Sequence, residues 1–486
     1  MSARQSMILG AVFRALGAHP AGWRVDGAHR DPRKDAEVLR RTARAAEAAK
    51  FDYIYFGEWL ATGPDLEFRD PDLLARVDPM SSIAYLAAIT KRIGLIATAN
   101  TAYFDLFTLA RQTASIDLLS GGRAGLNVAT GADPRAAGNH GREGRWGIDP
   151  NYEQAGELVR ALQLLWDSWE DDAFVHNRRT GRLIDPVKLH RTDAVGDYLR
   201  VTGPLNVPRP VQGHLPIMHA GTSAHSRQLS RELADIAFAA SPTLAEAIAF
   251  RADLHAQARA FGRAEGSPLV VRPVLTVVAE TTAEARAIYD ELLRLVPLDD
   301  GSSVAQAADF PANRSIRALS AAVGVPLGTP ALDDEVPLRV ARRFAEGGQR
   351  LLESVVERTG RRIGGETPVT FRHLLATQAV PGAAVVGSGQ EVADHLAEWF
   401  TSGAVDGFNI QTPFLPAQFT AFASLVVPEL QRRGLFRTEY AGSTLREHLG
   451  LAKPQNLHVT EARRRESPAT RQEDKRTDPS LPVLLG

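Results

Sequence analysis

The feature that most restricts how this chain folds is a repeated alternation of short apolar runs with longer amphipathic stretches. Parallel βα units produce that pattern, because their strands are buried on both faces while their helices are buried on one. Apolar runs at 7–13, 51–56, 93–98, 124–130, 216–220, 235–239, 270–278 and 407–411 predict eight strands. Between them, 34–50, 79–90, 106–119, 152–169, 223–234, 243–261, 282–295 and 392–401 read as helices, the third stopped by Gly121-Gly122. Two stretches break the rhythm. One, at about 171–213, reads as an inserted hairpin or excursion, and the other, at about 297–370, is irregular apart from a local helix over 338–358. Eight units with two insertions favour a (β/α)8 TIM barrel, an α/β fold, over an open α/β sheet with a helical cap. The barrel domain is expected to span 1–450. Residues 451–486 turn polar, with Arg463-Arg464-Arg465 and a charged run at 472–476, and are expected to form a disordered or loosely docked tail.

Composition removes several classes of function. There is no cysteine, which excludes disulfide scaffolds, iron–sulfur clusters, Cys-based zinc sites and a thiolate nucleophile. Basic side chains number 56 and acidic ones 57, spread along the chain, so neither nucleic acid nor an anionic membrane is an expected partner. The longest apolar runs, such as 95–99 and the region around Val385, are far short of the roughly 18 residues of a membrane span. Arg4 followed by the run 7–13 superficially resembles a signal peptide, but Arg14 interrupts it. A first buried strand and a cytoplasmic location are the expectation.

Few motifs are specific in isolation. Gly387-Ser388-Gly389 begins like a dinucleotide fingerprint but lacks the third glycine, so it reads as a βα turn. His214, His219 and His225 are spaced five and six apart, off any single helical face, and no metal site is expected. Glu58, Asp133 and Glu280 stand at strand ends, where a barrel hydrolase would place its carboxylates. The segment Ala220-Gly221-Thr222-Ser223-Ala224-His225-Ser226-Arg227 joins a strand to a helix. It suits either a phosphate site at the helix N-terminus or an ordinary N-cap by Thr222 or Ser223. Thr98 with Asn100, and Asn127 with Thr130, end neighbouring strands where a heterocycle would lie across the barrel mouth.

Taken in order, several segments resemble the flavin-dependent monooxygenases of the bacterial luciferase-like family, on the branch that oxidises nitrilotriacetate, EDTA, dibenzothiophene sulfone and long-chain alkanes. They are Gly22-Trp23-Arg24, Ile93-Gly94-Leu95, Asp117-Leu118-Leu119-Ser120-Gly121-Gly122-Arg123, Leu165-Trp166-Asp167-Ser168-Trp169, Gly203-Pro204-Leu205-Asn206, Ala220-Gly221-Thr222-Ser223, Asp406-Gly407-Phe408 and Thr444-Leu445-Arg446. The resemblance implies a two-component enzyme that uses reduced FMN and O2 to oxygenate a small organic substrate. It also implies an NAD(P)H:flavin reductase as supplier of the reduced flavin, and a homo-oligomer, dimer or tetramer. Carried over by position, Thr98 and Asn127 would face the isoalloxazine, Glu58 would stand beside it, and Tyr152 with Gly221, Thr222 and Ser223 would hold the phosphate. His19, in the loop after the first strand, matches a His beside the active site. With an ordinary pKa near 6.5 it would serve as acid or base, its bland alternative being a loop His bonded to a carbonyl.

The chain also departs from the family. Glu58 replaces Asp, His219 replaces Gln, Leu126 and Gly131 replace Trp and Ser, and Asn151 stands where an Arg precedes the tyrosine. Rival readings are a deazaflavin-dependent oxidoreductase of the same fold, a non-catalytic flavin-binding homologue, and the barrel hydrolase.

Overall fold

All eight predicted strands form, and they close on one another. In the computed structural model, which describes residues 6–131, 133–142, 148–380, 382 and 384–460, β1 (Ile8–Val12), β2 (Tyr53–Phe56), β3 (Gly94–Asn100), β4 (Ala124–Ala129), β5 (Ile217–Ala220), β6 (Ile236–Phe238), β7 (Leu269–Ala279) and β8 (Gly407–Gln411) pair in parallel. Ile236 aligns with Leu269, Val271 with Gly407 and Ile8 with Gly407, so the sheet returns to its first strand. That closure rules out the open sheet with a cap. Helices α1 (Asp35–Ala48), α2 (Pro79–Ile89), α3 (Leu106–Ser120), α4 (Ile148–Trp166), α5 (Ala224–Leu233), α6 (Leu244–Ala260) and α7 (Thr282–Leu295) follow β1 to β7 in turn, and α8 (Gly389–Thr401) precedes β8. Local chemistry sets their ends. Asp105 accepts the Thr108 amide at the start of α3, Gly121 ends that helix at φ +69°, and Thr243–Glu246 and Thr281–Glu284 capping boxes open α6 and α7.

Alternate strand residues fill the barrel. Ile8, Tyr53, Ile96, Met218, Ile236, Leu269 and Val271 form one inner cluster, joined from below by Leu445 and Leu449. Gly94 and Gly125 make room for that plug, since a Cβ at either would stand 2.5 or 2.9 Å from a Leu445 methyl. The motif around Arg123 serves the same end of the barrel. Its guanidinium donates to the carbonyls of Ala87, Thr90, Ile93 and Ser120, tying α2 and α3 to the base of β3.

Both insertions are where the rhythm breaks. The first holds two small antiparallel pairs, Phe174–Asn177 with Arg182–Ile184 and Ala194–Val195 with Arg200–Val201. The second contains helices Ile316–Val323, Leu338–Ala341, Glu346–Thr359 and Phe371–Ala379. The single helix expected over 338–358 is divided, because the Ala345 amide donates to Val323 O at 2.9 Å and leaves the helical path there. A ninth strand, Ala384–Ser388, lies outside the eight counted from the sequence, although the βα turn read at Gly387-Ser388-Gly389 implies a strand before it. It pairs with the overhang of β7, Leu275–Ala279, beyond the barrel rim, and Ser388 then caps α8 in a capping box with Glu391. Gly387-Ser388-Gly389 is therefore the βα turn that its missing glycine predicted. Beyond the domain boundary expected at 450, the chain runs past the end of α4 and the first insertion, where Asn456 donates to the carbonyls of Asp167 and Trp169 and Pro454 O accepts from Arg209. Residues 461–486, with the charged runs of the tail, lie outside the described residues, as does Arg4. Among the described residues no helix is long and apolar enough to cross a membrane.

Candidate active site

The register of β2, β3 and β4 brings three polar side chains together at the C-terminal mouth of the barrel. Thr98 pairs with Asn127 across β3 and β4, and Tyr55 reaches them from β2. The Thr98 hydroxyl donates to Phe56 O at 2.7 Å, which leaves its oxygen to accept from Asn127 Nδ2 at 3.0 Å. The same amide nitrogen reaches the Tyr55 oxygen at 3.3 Å. Because Thr98 has spent its only proton, the amide of Asn127 must face it with nitrogen. Asn127 Oδ1 is consequently left over, in a residue only 3% exposed, with no partner among the described residues. Burial raises the Tyr55 pKa, so the phenol keeps its proton as a donor. A buried carbonyl acceptor beside a phenolic donor suits the alternating C=O and N–H edge of a planar heterocycle.

One strand further on, β5 delivers the second half of this site. Ser223 is the N-cap of α5 and accepts the Ser226 amide at 3.1 Å. The Ser226 hydroxyl lies 3.0 Å from that of Ser223 and 2.8 Å from the hydroxyl of Tyr152, which arrives from α4. Gly221, at φ +144°, makes this possible, for a Cβ there would meet Ser226 Oγ at 2.3 Å. A run of three hydroxyls at a helix N-terminus, over a glycine that leaves space, is a fitting cradle for a phosphate. Thr222 is exposed and contributes its carbonyl to Arg227 Nε rather than its side chain to the cap. Asn151 does not act as the missing arginine would: its amide donates to Gly131 O at 3.2 Å, a structural bond.

His219, in the place of the family's glutamine, lies between these halves. Its Nδ1 faces Val128 O at 2.8 Å and so carries the proton, while Nε2 is a buried acceptor with no partner among the described residues. Burial lowers its pKa and keeps the ring neutral. The Tyr152 ring stands edge-on to it, with centroids 5.7 Å apart.

Two predicted residues stand apart. Glu58, after β2, accepts the neighbouring Trp59 amide at 2.7 Å, and burial raises its pKa. His19 lies beside the end of β8, its amide on Pro413 O and its ring 2% exposed. The expectation that it titrates near neutrality fails, because burial, and then the charge of Arg314, pull it down to about 3. His19 is neutral at working pH. Its Nδ1 accepts the Ala21 amide at 3.2 Å, so the ring proton sits on Nε2. The other two histidines of the sparse cluster have separate partners, His214 on Asp167 and His225 on Asp149. Among the described residues no three metal-ligating side chains converge. Asp133 caps a short helix and pairs with Arg135, which removes it from the hydrolase reading. Sequence reasoning missed Tyr55 and Arg314, and it included Ser226 in the phosphate segment without singling it out. The period-two pair Tyr53 and Tyr55 was the available signal for the first, since both must face the barrel interior.

The profile of the family described as luciferase-like monooxygenase matches residues 18–406. This chain belongs to that family. Nitrilotriacetate monooxygenase component A from Aminobacter aminovorans is 36% identical to it over 94% of this chain and 99% of the relative. Dibenzothiophene-sulfone monooxygenase from Rhodococcus erythropolis is 34% identical, covering 94% and 99%. Among solved structures, a riboflavin lyase with modified FMN and substrate riboflavin superposes with a TM-score of 0.71 at 27% identity, over 93% of this chain and 97% of that one. The luciferase-like monooxygenase described here is thus an oxidoreductase, a flavin-dependent monooxygenase on a closed barrel. The deazaflavin alternative is not favoured by such relatives.

Proposed function

We propose that this monooxygenase is the oxygenating component of a two-component system, receiving reduced FMN from a separate NAD(P)H:flavin reductase and inserting one atom of O2 into a small organic substrate. The observation that supports this reading is the alignment of two polar features at the strand ends from β2 to β5. The Tyr55–Asn127 donor–acceptor pair suits the pyrimidine edge of the flavin, and the Ser223, Ser226 and Tyr152 hydroxyls suit its phosphate. The bound flavin supplies the activation of O2, and the protein supplies position, a dry enclosure and hydrogen bonds. Thr98 holds Asn127 in its productive orientation, and Glu58, outside the two clusters, is assigned to the flavin only by its position after β2 in the family. Neutral His19 offers its Nε2 proton as a hydrogen-bond donor to the reacting partner. A phosphate cradle built of hydroxyls, with no Arg at residue 151, suits a flavin that is bound loosely and exchanged with a reductase. We also read the enzyme as a cytoplasmic homo-oligomer.

Purified enzyme supplied with a flavin reductase, NADH, FMN and 18O2 should place one labelled oxygen in the product of a responsive compound. Consumption of O2 that ends entirely in hydrogen peroxide across a broad compound panel would leave only a flavin-binding protein.

A further inference from the structure

The second insertion is fastened over one edge of the barrel mouth. Its core residues Leu319, Val323 and Val325 share a cluster with Ala21 from the loop after β1 and Phe414 from the loop after β8. Phe310 packs on Phe68, in the loop after β2, with ring centroids 5.1 Å apart. The insertion carries Arg314 into this junction, where the residue is only 1% exposed. Its guanidinium donates to the main-chain carbonyls of Phe68 and Pro297, its Nε has no acceptor, and it forms no ion pair with any described residue. Of the carboxylates in the β2 loop, Asp70 is already paired with Arg14, and Asp72 with Arg14 and Arg76. Arg69 adds further positive charge nearby and is itself 3.7 Å from Asp65.

A buried guanidinium without a counter-ion is costly to keep. His19, whose loop packs in the same junction and whose ring feels the charge of Arg314, has a matching deficit, for its Nε2 proton is also buried without an acceptor. Two unmet N–H donors, one of them on a permanent cation, lack the same thing, an anionic acceptor. We propose that Arg314 and His19 together bind a carboxylate of the substrate, which makes the substrate class of this enzyme a small organic acid rather than an apolar sulfone or alkane. The assignment rests on the oxygenase reading only in calling the bound acid the substrate. The guanidinium fork suits a carboxylate, and the imidazole Nε2–H adds direction.

The test is calorimetric titration of the full-length enzyme with acetate, succinate, iminodiacetate and nitrilotriacetate, each against its neutral methyl ester, alongside a separate titration with reduced FMN. At least one acid should bind about tenfold or more tighter than its ester. Arg314→Met should weaken that acid by about tenfold or more, Arg314→Lys by less, and neither should change the affinity for FMN. His19→Phe is the second variant and should weaken the same acid with Arg314 intact, which keeps the assignment testable if Arg314→Met does not fold. Acids that bind no better than their esters, or that bind the Arg314 and His19 variants as tightly as the parent, would overturn the carboxylate site. A parent enzyme that binds the acids but not reduced FMN would instead sink the oxygenase reading and leave this site standing.

Discussion

At the ends of β3 to β5 the buried side chains bond mainly to one another and leave acceptors over, Asn127 Oδ1 and His219 Nε2, whereas beside β1 the groups left over are donors, His19 Nε2 and Arg314 Nε. Among the described residues the first edge carries no fully buried cation, and its polar groups are amide, phenol, imidazole and hydroxyl. The second carries a buried guanidinium with only main-chain partners. They also differ in how they are assembled. The hydroxyl edge follows from strand register and one βα turn, so its members are fixed by the barrel itself. The cationic edge exists only because an insertion after α7 folds back over loops from β1 and β2, nearly 300 residues earlier for His19 and Arg314. One barrel mouth thus offers two chemically opposite surfaces, which is what an enzyme holding a flavin and a second, different molecule requires.

The largest effect expected from breaking this contrast is at Asn127. Asn127→Leu removes the buried acceptor and frees the Thr98 and Tyr55 oxygens together, so substrate-dependent turnover should fall about 10²–10³-fold. Steady-state oxygen uptake checks it, and a loss under threefold would detach Asn127 from the chemistry. On the opposite edge, the sharpest signature is the acid dependence of stability. The folded-state pKa of His19 lies near 3, below the ordinary 6.5, so the unfolded chain takes up the proton first as pH falls. Stability is fully present above pH 6.5 and is lost downward through this window, by up to about 1.4 kcal/mol per pH unit from this group. Urea denaturation between pH 7 and pH 4 should therefore show a shallower decline in His19→Asn than in the parent. Equal slopes would mean that His19 is solvated. The smallest effect concerns the phosphate cradle: Ser223→Ala should weaken FMN about tenfold in total while barely changing riboflavin, read by fluorescence titration. Equal losses for both flavins would reduce Ser223 to a helix cap.

The same division marks what the sequence could disclose. All eight barrel strands were legible, because burial on both faces leaves a continuous apolar run between polar turns. Thr98, Asn127 and Ser223 were legible as well, for a residue at the end of a predicted strand or the start of a predicted helix is already placed on the barrel mouth. Tyr152 was proposed from family resemblance alone, and its hydroxyl lies 2.8 Å from that of Ser226. The insertion defeated the reading. Its helix at 346–359 begins where Ala345 bonds to a distant carbonyl, and the strand Ala384–Ser388 pairs with an overhang of β7 that no local pattern announces. Arg314 is one arginine among many in the sequence, and only tertiary packing distinguishes it. The shifted pKa of His19 has the same origin, since the burial that lowers it is completed by residues far away in the chain.

The flavin site proposed at the hydroxyl edge leaves the cationic edge free for a second molecule. A crystal structure of the anaerobic complex with reduced FMN measures this directly. The phosphate should lie within hydrogen-bond distance of Ser223, Ser226 and Tyr152, with the heterocycle against Asn127 and Tyr55 and no flavin atom bonded to Arg314. A flavin whose phosphate or ring instead pairs with Arg314 and His19 would contradict it.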